Sequence, residues 1–283
     1  MTPGSRVEGR GSSNGATATT ALLLVASGKG GVGTSIVASL LALTSAERGD
    51  RVLLVDASEG GGTLHHLFGV RPAQSLWMLT DSRLGPDDVM IAIDEQLTLV
   101  AGGTSGAANA PASDHERRSA LSRLSRAYGN YNLVVFDGGS RLDTITAISE
   151  LADPMLLLVT SADRLALAAN YALVKSANAR RPNGAVSVLA NRHGESVAEE
   201  ACEFLVGACS HFLGRSIDVA GSIPEDPCLQ AAVGAGMTVR DALDGSPAAE
   251  AMRGILTRLL PPRIVTQRPM AIAGFSSSSR RWS

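Results

Sequence analysis

The sequence predicts a single α/β domain, built as a doubly wound, mostly parallel sheet with helices on both faces. Two observations support this prediction. Short runs rich in leucine and valine recur along the chain, and such runs are typical of strands buried on both faces of a parallel sheet. Helix-like stretches separate these runs, and strand-helix alternation indicates this architecture. We expect the domain to span residues 21–260, between a disordered leader at 1–20 and a flexible basic tail at 261–283.

The elements follow one another in a regular order. The predicted strands are 21–26, 51–56, 97–102, 132–137, 154–160, 185–191 and 217–224. The predicted helices are 35–48, 116–128, 163–180, 196–213 and 248–260, with a further one around 143–150. Gly49 and Gly214 are placed to end the first and fourth of the listed helices as C-caps. Ser196 and Glu199 have the spacing of a capping box.

The composition excludes several classes of protein. Of the 283 residues, 45% are hydrophobic and 18% charged, and the net charge is −2. This charge and the lack of a lysine cluster argue against nucleic-acid binding. No apolar run approaches the roughly 20 residues that span a bilayer, and the leader lacks the apolar segment of a signal peptide. The cysteines Cys202, Cys209 and Cys228 are expected to be buried thiols in a reducing compartment.

The segment VASGKGGVGTS (25–35), between the first strand and the first helix, has the spacing of a phosphate-binding loop. Gly28 and Gly33 form a G-x-x-x-x-G pattern, which lets backbone N–H groups surround phosphate oxygens at a helix N-terminus. Ser35 is placed to bind Mg²⁺. Lys29 is one of only two lysines among 25 basic residues, and the compact charge of lysine suits a crowded phosphate site.

This segment resembles the deviant Walker A motif K-G-G-x-G-K-[ST] of the MinD/ParA ATPases. Lys29 matches the signature lysine of that family, which reaches across a nucleotide-sandwich dimer. The resemblance extends over about residues 21–260 and is specific in six further segments. They are VLLVDASEGGGTLHHLFGV, LVAGGTSG, NYNLVVFDGGS, LLLVTSADRLALAANYALVK, LANR and GSIPEDPCLQAAV. Two of them, LVAGGTSG and LLLVTSADRLALAANYALVK, are similar to the flagellar-number regulator branch of the family, the FlhG/FleN type.

The resemblance implies a P-loop NTPase fold of the SIMIBI/MinD-like kind, with ATP and Mg²⁺ as ligands. It assigns ten residues to nucleotide binding: Gly28, Lys29, Gly30, Gly31, Val32, Gly33, Thr34, Ser35, Asn191 and Pro224. Ser35, Asp56 and Asp137 would hold Mg²⁺, some of them through water. No catalytic residue is firmly assigned, although Lys29, Asp56 and Asp137 are candidates.

The chain departs from the family pattern at the γ-phosphate end of the site. Thr34 replaces the lysine that would hold the β- and γ-phosphates, and Ser58 replaces the second aspartate of D-A-D. After Asp137 the chain reads GGSR (138–141), without the Ala-Gly that senses the γ-phosphate. Arg141 is expected to pair either with a phosphate or with a surface carboxylate. Since phosphoryl transfer depends on positioning and charge stabilisation, we expect weak or absent hydrolysis.

Other polar residues are given minor roles. Glu59 is an alternative to the missing second aspartate, but it is one residue out of place and we expect it to be solvated. His65 and His66 point about 100° apart on a helix, so they are expected to form a solvated helix start and not a metal site. Asp143 and Glu150 are expected to be exposed.

Three functions remain open. The first is a MinD/ParA-like switch or scaffold that controls the place or number of a polar machine, foremost the flagellum. The second is a Tad or type IV pilus localisation factor, and the third is a chromosome or plasmid partitioning ATPase. The resemblance implies an ATP-dependent homodimer and a polar flagellar or pilus assembly protein as partners. We expect a cytoplasmic protein, with recruitment to the pole or the inner membrane surface left open.

The membrane contact is expected to be weak. The last helix, 248–260, has an apolar face that fits packing on the sheet better than insertion into lipid. Beyond it, the tail 261–283 has four arginines and no acid. Their attraction to anionic lipid, roughly 1 kcal/mol for each arginine, is sensitive to salt.

Overall fold

A computed structural model describes residues 20–59, 62–103, 111 and 113–260. The strands are β1 (Ala21–Ala26), β2 (Val52–Asp56), β3 (Met90–Ala92), β4 (Leu97–Val100), β5 (Leu133–Gly139), β6 (Met155–Thr160), β7 (Val186–Asn191) and β8 (Asp218–Ile223). The helices are α1 (Thr34–Glu47), α2 (Leu64–Leu67), α3 (Asp114–Leu124), α4 (Leu142–Ala152), α5 (Arg164–Arg180), α6 (Glu195–Leu213), α7 (Pro227–Gly234) and α8 (Pro247–Leu259). The predicted leader, apart from Thr20, and the predicted tail lie outside the described residues.

The eight strands form one sheet in the order β3-β4-β2-β5-β1-β6-β7-β8. All neighbouring pairs are parallel except β3 and β4, which are antiparallel. The predicted fold class is thereby confirmed. β3 was missed because its three residues are too few for an apolar run to stand out. β1 lies between β5 and β6. From β1 the chain passes to β2 on one side of it, and from β5 it crosses β1 to β6 on the other side, so the order of building reverses at β1. A crevice at the carboxyl ends of the strands is the usual ligand site at such a point.

Apolar cores lie on both faces of the sheet. One joins the sheet to α3, α4, α5 and α6, and the other joins it to α1 and α8. α1 is buried on nearly all sides, as expected for a helix with apolar residues all round. Met252, Ile255 and Leu256 of α8 are buried in the second core, so the last helix packs on the domain as predicted. Within the described residues, no helix is both long and apolar enough to cross a membrane.

The ends of the helices agree only partly with the sequence pattern. Gly49 and Gly214 have φ values of 93° and 61° just beyond α1 and α6, in the left-handed region expected of such residues. The capping box at Ser196 and Glu199 was wrong. α6 begins at Glu195 and its N-cap is Gly194 in an extended conformation, so Ser196 already lies inside the first turn.

The three cysteines differ in exposure. Cys202 and Cys209 are buried on α6, whereas Cys228 is exposed on α7. The prediction of a buried thiol was therefore wrong for Cys228. α7 is a short helix at the surface and buries only Leu229, which leaves its neighbour in contact with solvent.

Candidate functional site

The loop 27–33 joins β1 to α1 at the carboxyl edge of the sheet. Gly31 and Gly33 have φ values of 82° and 92°, which residues with a Cβ rarely adopt. Gly33 is the N-cap of α1, and the first turn of α1 holds no acidic residue. The first turn of α1 therefore carries no negative side chain of its own that would compete with an anion for its N–H groups. Such a helix N-terminus attracts phosphate.

The beginning of the loop is fixed by α5. The Gly28 N–H donates to Oδ1 of Asn170 at 2.7 Å, and the Ser27 hydroxyl donates to the same oxygen at 3.4 Å. Asn170 is fully buried, and its Nδ2 donates to the Val159 carbonyl at 3.0 Å. A Cβ at position 28 would lie 2.2 Å from the carbonyl oxygen of Ala169. Glycine is therefore required here because the loop lies directly against α5.

Two buried carboxylates lie next to the loop. Asp56 and Asp137 are paired residues at the ends of β2 and β5, and both are fully buried. Asp56 accepts hydrogen bonds from the Ser58 and Leu64 N–H groups at 3.0 and 3.1 Å. Oδ1 of Asp137 accepts from the Gly139 N–H at 3.1 Å, whereas its Oδ2 is buried without a hydrogen-bond partner among the described residues.

Burial raises the pKa of both carboxyl groups. Burial, followed by the charge of Asp56, raises the pKa of Asp137 to about 7, against the opposing effect of the Ser35 hydroxyl and the Gly139 N–H. Burial also raises the pKa of Asp56, against hydrogen bonds from Ser58 and Leu64. Two acidic groups this close resist ionising together, because each carboxylate disfavours the other.

These residues fit a magnesium ion. Mg²⁺ prefers hard oxygen ligands and keeps several waters, and the unpartnered Oδ2 of Asp137 is a ready acceptor site for it. The Ser35 hydroxyl, at the start of α1, lies 3.1 Å from the Thr63 hydroxyl on the neighbouring loop. A cation held by Ser35, Asp56 and Asp137 would compensate the paired carboxylates and neutralise phosphate charge.

The segment 56–59 at the end of β2, where the family pattern has D-A-D, is called the second motif below and is tied to the fold through its backbone. Ser58, which stands in place of the second aspartate, accepts a hydrogen bond on its carbonyl oxygen from the buried indole of Trp77 at 3.2 Å. Its N–H is the donor to Asp56 noted above. Thr34 is buried at the first position of α1. A threonine side chain is neutral and short. It therefore does not replace the positive charge that the missing lysine would bring to the phosphate oxygens.

Glu59 is not solvated, contrary to the prediction. Its side chain is 4% exposed and pairs with the buried Arg117, with Nε–Oε1 at 2.6 Å and Nη2–Oε2 at 3.2 Å. The Thr144 hydroxyl also donates to Glu59. Arg141 lies at its open side, with Nε 3.4 Å from Oε2. Arg117 first, then Thr144 and Arg141, hold the pKa of Glu59 below its usual value although burial opposes them.

Arg141 is therefore paired with a carboxylate, but that carboxylate is buried and not on the surface. Asp143 and Glu150, on the same helix, are exposed as predicted. Glu150 pairs with Arg118 at 2.6 Å. Arg118 and Glu150 thus form an exposed ion pair on the outer side of α3 and α4.

Lys29 contacts the residue that caps α5. Its Nζ lies 3.0 and 3.1 Å from the two carboxylate oxygens of Asp163. Asp163 also accepts from the Ala166 N–H at 2.9 Å as the N-cap of α5. The Ser161 hydroxyl, then Ala166 and Lys29, hold the pKa of Asp163 well below its usual range. The Lys29 side chain is 40% exposed, so it remains accessible to a ligand or a second chain.

A cleft of about 320 Å³ opens on the other side of the loop. Apart from Gly33, Asn191 and Pro224, its wall is mainly apolar, with Ile36, Leu40, Ile223, Leu229 and Val233. Asn191 is buried at the end of β7, and its Nδ2 donates to the Val32 carbonyl at 2.8 Å. The volume falls in the range of small-molecule sites, and the position beside the loop suits the base of a nucleotide.

The two histidines differ from the prediction in one respect. His66 is exposed, but His65 is 7% exposed and its Nδ1 is buried without a hydrogen-bond partner in the described part of the chain. Burial, then the neighbouring His66, lowers the pKa of His65. The prediction of a solvated helix start was wrong for His65 because α2 is a single turn packed against the sheet. No metal-binding cluster of histidine, cysteine or acidic residues occurs among the described residues.

Sequence reasoning placed the loop, Asp56, Asp137, Asn191 and Pro224 at one edge of the sheet, and the structure brings them together there. It gave no role to Asn170, Arg117 or Trp77. The signal for Asn170 was its place in the segment LAANYALVK, as a polar residue among apolar helix positions. Nothing local marked Arg117.

The chain is similar to known proteins in sequence and in structure. The family described as ParA, NUBPL iron-transfer P-loop NTPase, matches residues 18–91. Antiactivator FleN of Pseudomonas aeruginosa is 25% identical over 240 residues, which cover 84% of this chain and 85% of that protein. Flagellum site-determining protein YlxH of Helicobacter pylori is 24% identical over 156 residues, which cover 55% of this chain and 53% of that protein.

Among solved structures, the septum site-determining protein MinD of Pyrococcus horikoshii, complexed with Mg-ADP, superposes with a TM-score of 0.70 at 19% identity. The match covers 86% of this chain and 97% of that one. The loop segment and the sheet therefore have the fold of the MinD/ParA P-loop NTPases. In sequence the chain resembles the MinD/ParA family, and this likeness lies near the flagellar-number regulator branch.

Proposed function

We propose that this protein binds ATP with Mg²⁺ and acts as a nucleotide-dependent switch or scaffold with little hydrolytic activity. The observation that supports this best is the joint arrangement of the glycine loop, Ser35 and the paired carboxylates of Asp56 and Asp137. The loop N–H groups would hold the α- and β-phosphates, as a helix N-terminus and a glycine loop do in general. The apolar cleft beside Asn191 and Pro224 would hold the base.

The residues at the γ-phosphate end of the site support the proposal of weak hydrolysis. Thr34 offers no cation, and Ser58 offers a hydroxyl where a carboxylate would orient water. Each lost group of this kind typically lowers the rate by orders of magnitude. The protein would hold the nucleotide in place while contributing little to the chemical step.

The biological role is proposed from the relatives. FleN is named as an antiactivator, and YlxH is named as a flagellum site-determining protein. We propose that this protein controls the number or position of a polar machine, with the flagellum foremost and a pilus as the alternative. Lys29 at the rim of the site, in reach of a second chain, supports an ATP-dependent homodimer. Partitioning of DNA is disfavoured by the net charge of −2.

Nucleotide binding and phosphate release test the biochemical half of this proposal. We expect the protein to bind fluorescent ATP in the presence of Mg²⁺, with phosphate release near background. Restoring Thr34→Lys and Ser58→Asp together should raise hydrolysis more than either change alone, because such groups act as a unit. Turnover of about one per second or more in the unchanged protein would refute weak hydrolysis.

Deletion of the gene in its own organism tests the biological half. We expect a changed number or position of flagella, counted by electron microscopy, and restoration by the unchanged gene. A defect confined to pili would favour the pilus alternative. Loss of chromosome or plasmid inheritance with normal appendages would contradict both roles.

A further inference from the structure

We propose that Arg141 recognises the terminal phosphate of ATP and so determines the preference of the site for a triphosphate over a diphosphate. This inference rests on the proposed function. It gives a role to a residue at which the chain departs from its family pattern, and it supplies the positive charge that Thr34 does not.

The position of Arg141 is fixed by the loop itself. The Gly139 carbonyl accepts a hydrogen bond from the Ser27 N–H at 2.9 Å, so the segment after β5 runs beside the start of the loop. Ser140 comes next and faces Gly30, where a Cβ would lie 3.6 Å from its Oγ. Arg141 follows directly and occupies the place at which the family pattern has the glycine that senses the γ-phosphate. Its side chain therefore starts at the γ-phosphate end of the site.

Arg141 can leave its present partner, Glu59, at little cost in free energy. The Nε of Arg141 lies 3.4 Å from Glu59, a longer distance than the 2.6 Å contact between Glu59 and Arg117. Glu59 also accepts from Thr144. If Arg141 turns away, Glu59 keeps a buried cation and a hydroxyl donor, so no unpaired buried charge results. The Arg141 side chain is 58% exposed, so water solvates its charge when it turns away from Glu59.

The chemistry of arginine suits the terminal phosphate. A guanidinium presents a planar fork of N–H donors that matches phosphate oxygens in pairs, and it keeps its charge at any physiological pH. The other cation at the loop, Lys29, is held by both oxygens of Asp163 at the start of α5. Arg141 follows the end of β5 beside the loop, and in this proposal it supplies the charge that Thr34 lacks.

The test compares the affinities of the full-length protein for fluorescent N-methylanthraniloyl derivatives of ADP and of a non-hydrolysable ATP analogue, each with Mg²⁺. Arg141→Ala should weaken binding of the ATP analogue by about tenfold or more, because a hydrogen bond to a charged group is lost. Binding of the ADP derivative should change by less than about twofold. Arg141→Lys should retain part of the preference, since it keeps the charge but loses the fork.

The matched control is Arg118→Ala. This variant removes an arginine from the same pair of helices, but one that contacts Asp114 and Glu150 at the surface. It should leave both affinities unchanged. Equal weakening of ATP and ADP binding in Arg141→Ala, or no change in either, would overturn the inference while leaving the proposed function intact. If neither nucleotide binds to the unchanged protein, the proposed function fails and this inference fails with it.

Discussion

Gly28 offers a direct test of how the loop is held against α5. In Gly28→Ala the new Cβ would lie 2.2 Å from the Ala169 carbonyl oxygen and 2.8 Å from the Asn170 nitrogen. Both atoms belong to the backbone of α5, so no side chain can rotate to make room. The loop and the helix must separate by roughly 1 Å to restore an ordinary contact.

The cost of this movement has two parts. Overpacking against rigid neighbours costs typically 1–3 kcal/mol. The 2.7 Å hydrogen bond from the Gly28 N–H to Asn170 is stretched by the same movement, and this costs about 1 kcal/mol more. We expect a loss of roughly 2–4 kcal/mol in the free energy of unfolding, which lowers Tm by roughly 4–16 °C in a protein of this size.

Thermal unfolding followed by circular dichroism measures this effect. Gly30→Ala is the control in the same loop, because its Cβ would meet only the Ser140 hydroxyl at the ordinary distance of 3.6 Å. That variant should unfold within a few degrees of the unchanged protein. If Gly28→Ala and Gly30→Ala unfold at the same temperature as the parent, the loop does not depend on contact with α5, and our reasoning about Gly28 is wrong.

Two further predictions concern buried polar residues. Asn170→Ala should lower the free energy of unfolding by about 1–3 kcal/mol, because Gly28, Ser27 and Val159 lose a buried partner. The control Lys175→Ala, at an exposed position of the same helix, should change the free energy of unfolding little. Equal effects of the two substitutions would refute the role of Asn170. Asp226 should make stability sensitive to acid. Burial opposes its ionisation, but hydrogen bonds from Leu229, Ser246 and Ala248 lower its pKa in the folded state. Its contribution is therefore complete above about pH 4, the unfolded value, and is lost as the pH falls through the lower folded value. Asp226→Asn should be less stable at pH 7 and lose less stability toward pH 3 in urea titrations; parallel curves for the two proteins would contradict this.

The sequence predicted what depends on local pattern. Strands β1, β2, β6, β7 and β8 appear within one residue of their expected bounds, because each follows a recognisable apolar run. The glycine loop and the carboxylates at the ends of β2 and β5 follow from the same alternation, since parallel strands end at one edge. β3 was missed because three residues at the edge of the sheet carry no recognisable pattern.

The contacts that fix the site could not be read from the sequence. Glu59 pairs with Arg117 and Thr144, which lie 58 and 85 residues further along the chain. The Gly28–Asn170 bond spans 142 residues. No local spacing marks such a pair, and a glutamate in a polar, glycine-rich loop is by composition a solvated residue. Only packing of α3 and α4 against the end of β2 buries it.

These long-range contacts bear on whether the protein is a switch or a scaffold. A ligand can shift a conformation only by the difference in its free energy of binding to the two states. The second motif is held to α3 by the buried Glu59–Arg117 pair and to α4 by the Thr144 hydroxyl, which donates to Glu59. The Trp77 hydrogen bond to Ser58 holds it to the core. Breaking a buried ion pair costs about 3–5 kcal/mol, which is close to the roughly 5.5 kcal/mol needed to invert a two-state equilibrium fully.

A single arginine contact to the γ-phosphate, worth about 1.4 kcal/mol for each tenfold in affinity, gives ATP little differential binding to meet that cost. The loosely held group at this end of the site is Arg141, whose departure leaves the Glu59–Arg117 pair intact. We therefore expect ATP to act through Arg141 and the start of α4, with the second motif unmoved. On this basis we expect the difference between the ATP and ADP states to be small and local. We expect the protein to act as a scaffold whose surface changes near α4, and not as a switch that rearranges its sheet edge.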